Sequence, residues 1–305
     1  MEHNIIPFFG IGQIQQLATI QNNEFRYLSP QLAVLQSVQG MKDVIHLKNV
    51  LNVFNQPYRM KEGRIALILS GYGKARINLL EHILKKGDLV IVSSGVIGEL
   101  IELSPDFDWF LIACDDQLLQ NIPVQGLIQS YLQKHTIIHL PLQEKEYVRV
   151  RQIFDLLWDS LHDDTFSMDV AVSIIYTLFK QIEVYETYKT GKNTLPKSRQ
   201  EEIFNRFIEL VNNYAVKERN ISFYADKLCV TPRYMSTLIR QASGRTIMDW
   251  INEAVIQEAK IQLRYSSKPI YQLAEDLHFT NVSFFCKFFR QKTGSTPKRY
   301  RLKDF

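Results

Sequence analysis

The spacing of apolar positions divides the chain into three stretches of different texture. From about Glu24 to Leu140, short Ile-, Leu- and Val-rich runs alternate with turn residues. Arg64-Ile-Ala-Leu-Ile-Leu-Ser70 is a buried-strand run ending at Gly71-Tyr-Gly73, and Lys74 to Leu84 is a second run. Lys86-Gly87-Asp88 marks a turn before Leu89-Val-Ile-Val92, and Val96–Leu103 and Asp108–Cys114 complete the series. Strands so short and closely spaced predict a small antiparallel barrel or sandwich. From Pro141 to Tyr188 the period turns helical. Tyr147, Val150, Phe154, Leu157 and Leu161 form one stripe, and Met168, Val172, Ile175, Phe179 and Ile182 a second, each stepping by 3 and 4. Such stripes serve either to cover the strands or, in the second helix, as the seam of a homodimer built from a helical hairpin.

Beyond Arg199 the pattern is helical throughout and carries a tandem repeat. Ala225, Leu228 and Val230 return 49 residues later as Ala274, Leu277 and Phe279. At an offset of 50, Met235, Leu238 and Ile239 return as Phe285, Phe288 and Phe289, and Arg240, Gln241, Gly244 and Thr246 as Arg290, Gln291, Gly294 and Thr296. Each unit reads as helix, turn, helix. Ser222 is expected to cap a short helix that turns at Cys229-Val230, and Thr231-Pro232 supplies an N-cap and N1 proline for the next. In the second unit the turn is His278-Phe279-Thr280, and Asn281 caps the helix from Val282 to Gln291. The stretch between, Thr246 to about Tyr265, lacks Gly and Pro. About 19 residues at ~1.5 Å each span ~28 Å, which places two recognition helices about one DNA turn apart.

Charge follows the same division. Residues 1–196 hold 17 Lys and Arg against 21 Asp and Glu, a balance of −4, whereas residues 197–305 hold 19 against 11, or +8. A basic segment beside an acidic remainder points to a polyanion-binding module. Lys189 to Ser198, rich in Gly, Asn, Pro, Ser and Thr, reads as the linker where the sign changes. Composition is that of a folded chain, 46% hydrophobic and 22% charged. No apolar run is long enough for a transmembrane helix, no basic-then-apolar leader opens the chain, and Cys114, Cys229 and Cys286 are too scattered for a disulfide framework. A reduced, cytoplasmic protein is expected.

Ile270-Tyr-Gln-Leu-Ala274, Phe279, Ser283, Phe285, Phe289-Arg290, Gly294, Pro297 and Tyr300-Arg301 resemble the signature of the AraC/XylS family of bacterial transcription regulators, over roughly the last hundred residues. The resemblance implies a seven-helix DNA-binding domain with two helix-turn-helix motifs joined by a long helix. It also implies that the strands and two helices before it form a cupin-like sensing and dimerisation domain. The expected organisation is therefore 1–188 for that domain, 189–198 for the linker and 199–305 for the DNA-binding domain. By the same resemblance Arg233, Ser236, Thr237, Val282, Ser283, Cys286 and Lys287 face base edges, where Arg and Lys suit guanine and Val a thymine methyl. Arg240, Arg290, Lys298, Arg299 and Arg301 are read as phosphate contacts. Two departures stand out: His278 occupies a place where relatives usually carry Gly, and Val255 one where many carry Arg. The Phe284-Phe285 and Phe288-Phe289 pairs are expected in the core.

Catalysis finds no support in the residues. Glu81-His82 lacks the neighbouring His of a metal-binding cupin. His135 and His139 have zinc-like i,i+4 spacing, but Thr136-Ile-Ile138 between them favours a strand. Gly71-Tyr-Gly73 is too short to grip a phosphate. Neither a metal nor a cofactor is expected. The reading is of a sequence-specific, double-stranded-DNA-binding transcription activator. It acts as a homodimer, with promoter DNA and RNA polymerase as partners and a small effector in the barrel. The rivals are a cupin-type enzyme with a DNA-binding appendage, which stoichiometric metal would favour, a DNA-repair protein, for which three scattered cysteines cannot supply a four-ligand zinc site, and a regulator whose N-terminal domain only dimerises.

Overall fold

The structure, a computed structural model, describes residues 8–11, 26–36, 55–120, 137–193 and 199–302. These fall into an N-terminal unit, Phe8–Ile77 with Glu81–Asn193, and a C-terminal unit containing residues 199–302.

Eleven strands are described in the first half of the chain: β1 Phe8–Phe9, β2 Arg26–Leu28, β3 Leu32–Leu35, β4 Tyr58–Met60, β5 Gly63–Ser70, β6 Tyr72–Ile77, β7 Leu80–Lys85, β8 Asp88–Val92, β9 Ile97–Leu103, β10 Asp108–Cys114 and β11 Ile137–Pro141. They pair as two sheets, β1-β4-β9-β6-β7 and β11-β8-β5-β10-β3-β2. Residue alternation explains the layering. In the six-stranded sheet, Ile65, Leu67, Leu89, Ile91, Phe110 and Ile112 point to one side, where they share a core with two helices, α2 and α3, described below. Their neighbours Ala66, Val90, Val92, Trp109 and Leu111 point to the other side and, with Tyr58, Ala75 and Leu100 of the five-stranded sheet, line a cavity between the sheets. Both faces are therefore covered, which is why β5, β8 and β10 read as nearly continuous apolar runs.

The expected barrel is corrected to two sheets, neither closed on itself among the described residues. Closure depends on how first and last strands pair, which strand length and spacing do not encode. The single run expected over Lys74 to Leu84 is also two strands. Asn78 and Leu79 take φ of 46° and 75° and turn β6 into β7, the backbone a two-residue hairpin requires.

After α1 (Asp116–Gln120) come α2, Glu144–Leu161, and α3, Met168–Asn193. Val150, Phe154, Leu157 and Leu161 of α2 are buried, with Phe154 4.9 Å from the ring of Phe110. On α3, Val172, Ile175, Phe179 and Ile182 are 8%, 1%, 6% and 0% exposed within that same core, and Met168 packs against it. The homodimer seam expected of these five residues is thereby corrected, because one chain already covers them. A 3,4 spacing shows that a helix has one apolar face and leaves open what covers that face. The helix α3 also runs to Asn193, into the segment read as linker from Lys189.

Seven helices are described in the C-terminal unit: α4 Arg199–Tyr214, α5 Ile221–Lys227, α6 Pro232–Ser243, α7 Ile247–Tyr265, α8 Ile270–Asp276, α9 Val282–Thr293 and α10 Pro297–Arg301. Thr246 opens α7 with a capping box to Asp249. The helix is buried on most sides, Val255 included at 0% exposure, so the helices before and after it pack around it. Val255 therefore serves the core.

Candidate nucleic-acid interface

The repeat becomes two helix pairs of matching backbone geometry. Asn220, not Ser222, caps α5: its side chain accepts from the Ser222 N–H at 2.9 Å. The chain then turns at Cys229 with φ +54°. Thr231 accepts from the Tyr234 N–H at 3.2 Å, with Pro232 as first residue of α6. In the second pair His278 turns with φ +55°, and Asn281 accepts from the Phe284 N–H at 2.8 Å. His278 is thus left-handed, and Cys229, 49 residues earlier, shares that conformation. Gly244 and Gly294, at φ +68° and +73°, end α6 and α9.

These caps set which side chains leave the surface. Arg233, Ser236 and Thr237 on α6 are exposed, as are Val282, Ser283 and Lys287 on α9. The hydroxyls of Ser236 and Thr237 donate to the carbonyls of Pro232 and Arg233 at 2.8 and 3.2 Å, so donating to a base requires them to rotate outward, while accepting from one does not. Cys286 is half-buried, and burial pushes its thiol pKa up, which keeps it neutral and unreactive at neutral pH. Arg240, Arg290, Lys298 and Arg299 are exposed and free to meet phosphates. Arg301 differs from them: it is half-buried and its Nε donates to the Leu263 carbonyl at 3.2 Å, tying α10 to the end of α7.

The aromatic pairs divide. Phe285 and Phe289 are fully buried and Phe288 packs against the core, but Phe284 is 56% exposed. Tyr234, its counterpart 50 residues earlier, is 44% exposed. The reading of both phenylalanine pairs as core therefore fails for Phe284, because consecutive helical positions cannot all face inward. Arg219, singled out by no pattern, lies with its guanidinium 4.0 Å over the Phe279 ring and donates to the Leu277 carbonyl at 2.6 Å. It fastens the turn of the second pair to the loop before the first. A lone Arg in a loop carries no periodic signal, so sequence had no means of finding it.

In the N-terminal unit the cavity between the sheets measures about 60 Å³ and is walled mainly by Met60, Ala66, Ile77, Leu84 and Leu100, with Tyr58, Arg64, Glu99 and Trp109 as polar exceptions. The Trp109 Nε1–H has no hydrogen-bond acceptor among the described residues. Glu81 is engaged by Lys74 and Arg76 at 2.7 and 2.9 Å. His139 bonds Asp88 at 2.9 Å, and burial together with His139 lowers the His82 pKa to about 4. His135 lies outside the described residues. Among the described residues, no three His, Cys, Asp or Glu side chains are placed to hold a metal, and no helix is long and apolar enough to cross a membrane.

Residues 224–303 match the family described as "Helix-turn-helix domain". The chain is also similar to the HTH-type transcriptional activator RhaR of Escherichia coli K12, 19% identical over 238 residues that cover 78% of this chain and 83% of that one. These two matches support an AraC/XylS-family transcription regulator. Among solved structures, the C-terminal domain of AraT, a response regulator from Geobacillus stearothermophilus, is 24% identical over 34% of this chain and 87% of that one, with a TM-score of 0.32. ToxT from Vibrio cholerae O395 is 12% identical over 80% of this chain and 89% of that one, with a TM-score of 0.34. The family match begins at Tyr224 and so takes in both second helices, α6 and α9, with the long α7 between them.

Proposed function

We propose that this regulator is a sequence-specific, double-stranded-DNA-binding transcription activator. In this reading α5–α6 and α8–α9 are two helix-turn-helix motifs, and residues 199–305 form the DNA-binding domain. The helices α6 and α9 enter successive major-groove faces. Arg233, Ser236, Thr237, Val282, Ser283, Cys286 and Lys287 contact base edges, while Arg240, Arg290, Lys298 and Arg299 hold phosphates. Residues 1–188 form a cupin-like sensing and dimerisation domain. The protein works as a homodimer assembled through a surface other than the buried α3 stripe, and it engages RNA polymerase. The cavity admits a small effector: at about 60 Å³ it is well below the ~300–1,000 Å³ of pockets that enclose drug-sized ligands.

The observation that carries this reading is the repeated register of two capped helices. Each projects exposed side chains from its first turns, on a segment whose charge balance is +8. A helical bundle needs neither the repeat nor the charge. Genome-wide mapping of the DNA bound by the full-length protein, with transcript profiling after gene deletion, tests it. Discrete bound sites upstream of genes whose transcripts fall on deletion are expected. Bound sites whose genes rise on deletion overturn activation, and the absence of discrete sites overturns the whole reading.

A further inference from the structure

The two second helices share a register but not a chemistry. At the 50-residue offset, Pro232, Arg233, Tyr234, Ser236 and Thr237 stand against Val282, Ser283, Phe284, Cys286 and Lys287. From first to second, a proline becomes a valine, a guanidinium becomes a hydroxyl, a phenol loses its oxygen and a hydroxyl becomes a thiol. Apart from Ser283, what remains exposed in the first turn of α9 is apolar: Val282 is 38% and Phe284 56% exposed, with half-buried Cys286 on the following turn.

The Phe284 ring is also held where it is. It lies 6.1 Å from the ring of Phe279, which packs at 5.2 Å on both Phe285 and Phe288 and carries the Arg219 guanidinium 4.0 Å above it. The first pair has Val230 in the place of Phe279, so it lacks this platform. An exposed, supported apolar strip is ordinarily a contact surface. The exposed charges of α9 itself, Lys287, Arg290 and Lys292, are all positive, which fits a polyanion. Stacking on a single strand is disfavoured, since that mode uses rings splayed across an open groove or sheet.

A side chain without donors or acceptors distinguishes bases in the major groove in one way, by contact with the thymine 5-methyl group. We propose that α9 reads thymine methyls: Val282 and Phe284, with Cys286 beside them, select an A·T-rich half of the operator, whereas α6 reads its half through hydrogen bonds from Arg233, Ser236 and Thr237. Lys287, one turn further along, supplies an ammonium for a flanking base edge. This assignment rests on the proposed reading of α6 and α9 as recognition helices and names what the second one recognises.

The test uses the full-length protein. A randomised-site selection first defines the bound element, and Arg233→Ala identifies the half under α6 as the one whose preference relaxes. Thymines in the other half are then replaced singly by uracil, which removes only the methyl. Losing contact with one buried methyl should weaken binding about fourfold, while uracil in the α6 half should change little. In Phe284→Ala, thymine and uracil duplexes should bind alike at the affected step, and Phe284→Leu, which keeps an apolar side chain, should restore part of the discrimination. A selected element that is G·C-rich under α9, or one indifferent to uracil there, overturns the assignment and leaves the two recognition helices standing. A Phe284→Ala protein that keeps full uracil sensitivity overturns the role of Phe284. If no element is enriched, the proposed DNA-binding function fails as well.

Discussion

Cys229 and His278 show how one backbone requirement is met by two different residues. Both sit at φ near +55°, a region where a Cβ crowds the following carbonyl at a cost of roughly 1–2 kcal/mol. Glycine would remove that strain but loses about 0.5–1 kcal/mol of chain entropy on folding. The balance favours glycine at Cys229, and Cys229→Gly should raise the stability of the C-terminal unit by about 0.5–1 kcal/mol. His278→Gly should gain less, because His278 Nδ1 lies 3.0 Å from the Asp276 carbonyl and that contact would be lost. Urea titration of both variants checks the order, and a His278→Gly gain larger than that of Cys229→Gly would contradict it. The two basic residues Arg233 and Arg290 differ in the same local sense. Arg233 is the second residue of α6, beside its cap, and Arg290 is the ninth residue of α9. Side chains near a recognition helix's start reach bases, and those two turns on reach backbone. Arg233→Ala should cost about 1–3 kcal/mol against the preferred base and relax one or two adjacent base pairs. Arg290→Ala should weaken all sites alike. Site selection on both variants decides, and the reverse pattern would mean that the helices are docked the other way.

At the scale of elements, α3 sets packing against assembly. Its stripe has the spacing of a coiled-coil seam, yet Ile175 and Ile182 are 1% and 0% exposed inside one chain. Charged substitutions there bury an unpaired charge in an apolar core. Ile175→Asp with Phe179→Asp should therefore unfold the N-terminal unit, seen as lost near-ultraviolet dichroism. A folded monomer in sedimentation would return the stripe to the dimer interface. What the chain's pattern made legible follows from this contrast. Periodicity located α2 and α3 because each has a face to bury, and the tandem offset located α5, α6, α8 and α9 with both turns, since turns are local. The caps at Thr231 and Asn281 were legible for the same reason: a cap and its N–H lie three residues apart. Sheet closure, the split of Lys74 to Leu84 at Asn78-Leu79, and the roles of Arg219 and Arg301 were not. Each depends on residues distant in sequence or on a backbone choice that a leucine does not advertise. Phe284 lies between these cases: its type is apolar, but its place on α9 puts it outside.

For the whole molecule, the opposite balances of −4 and +8 on either side of residue 196 imply that DNA affinity resides in the C-terminal unit alone. That unit has its own apolar core, from Phe207 on α4 through Ile251 on α7 to Phe289 on α9. The segment Lys197 to Phe305 should accordingly fold by itself and bind duplex DNA. Its salt dependence can be set from the exposed cations. If Arg240, Arg290, Lys298 and Arg299 each neutralise one phosphate, log K should fall with log salt at a slope of about −3.6, a loss of roughly 150-fold between 50 and 200 mM. Arg301, held against Leu263, should not add to that slope, so Arg301→Ala should leave it unchanged while lowering the melting temperature. Arg290→Ala should reduce it by about one. Fluorescence anisotropy with the folded segment across a salt series gives these slopes directly. A flat response would mean that the basic surface is only solvated, and a slope lessened by Arg301→Ala would mean that Arg301 leaves Leu263 to take a phosphate.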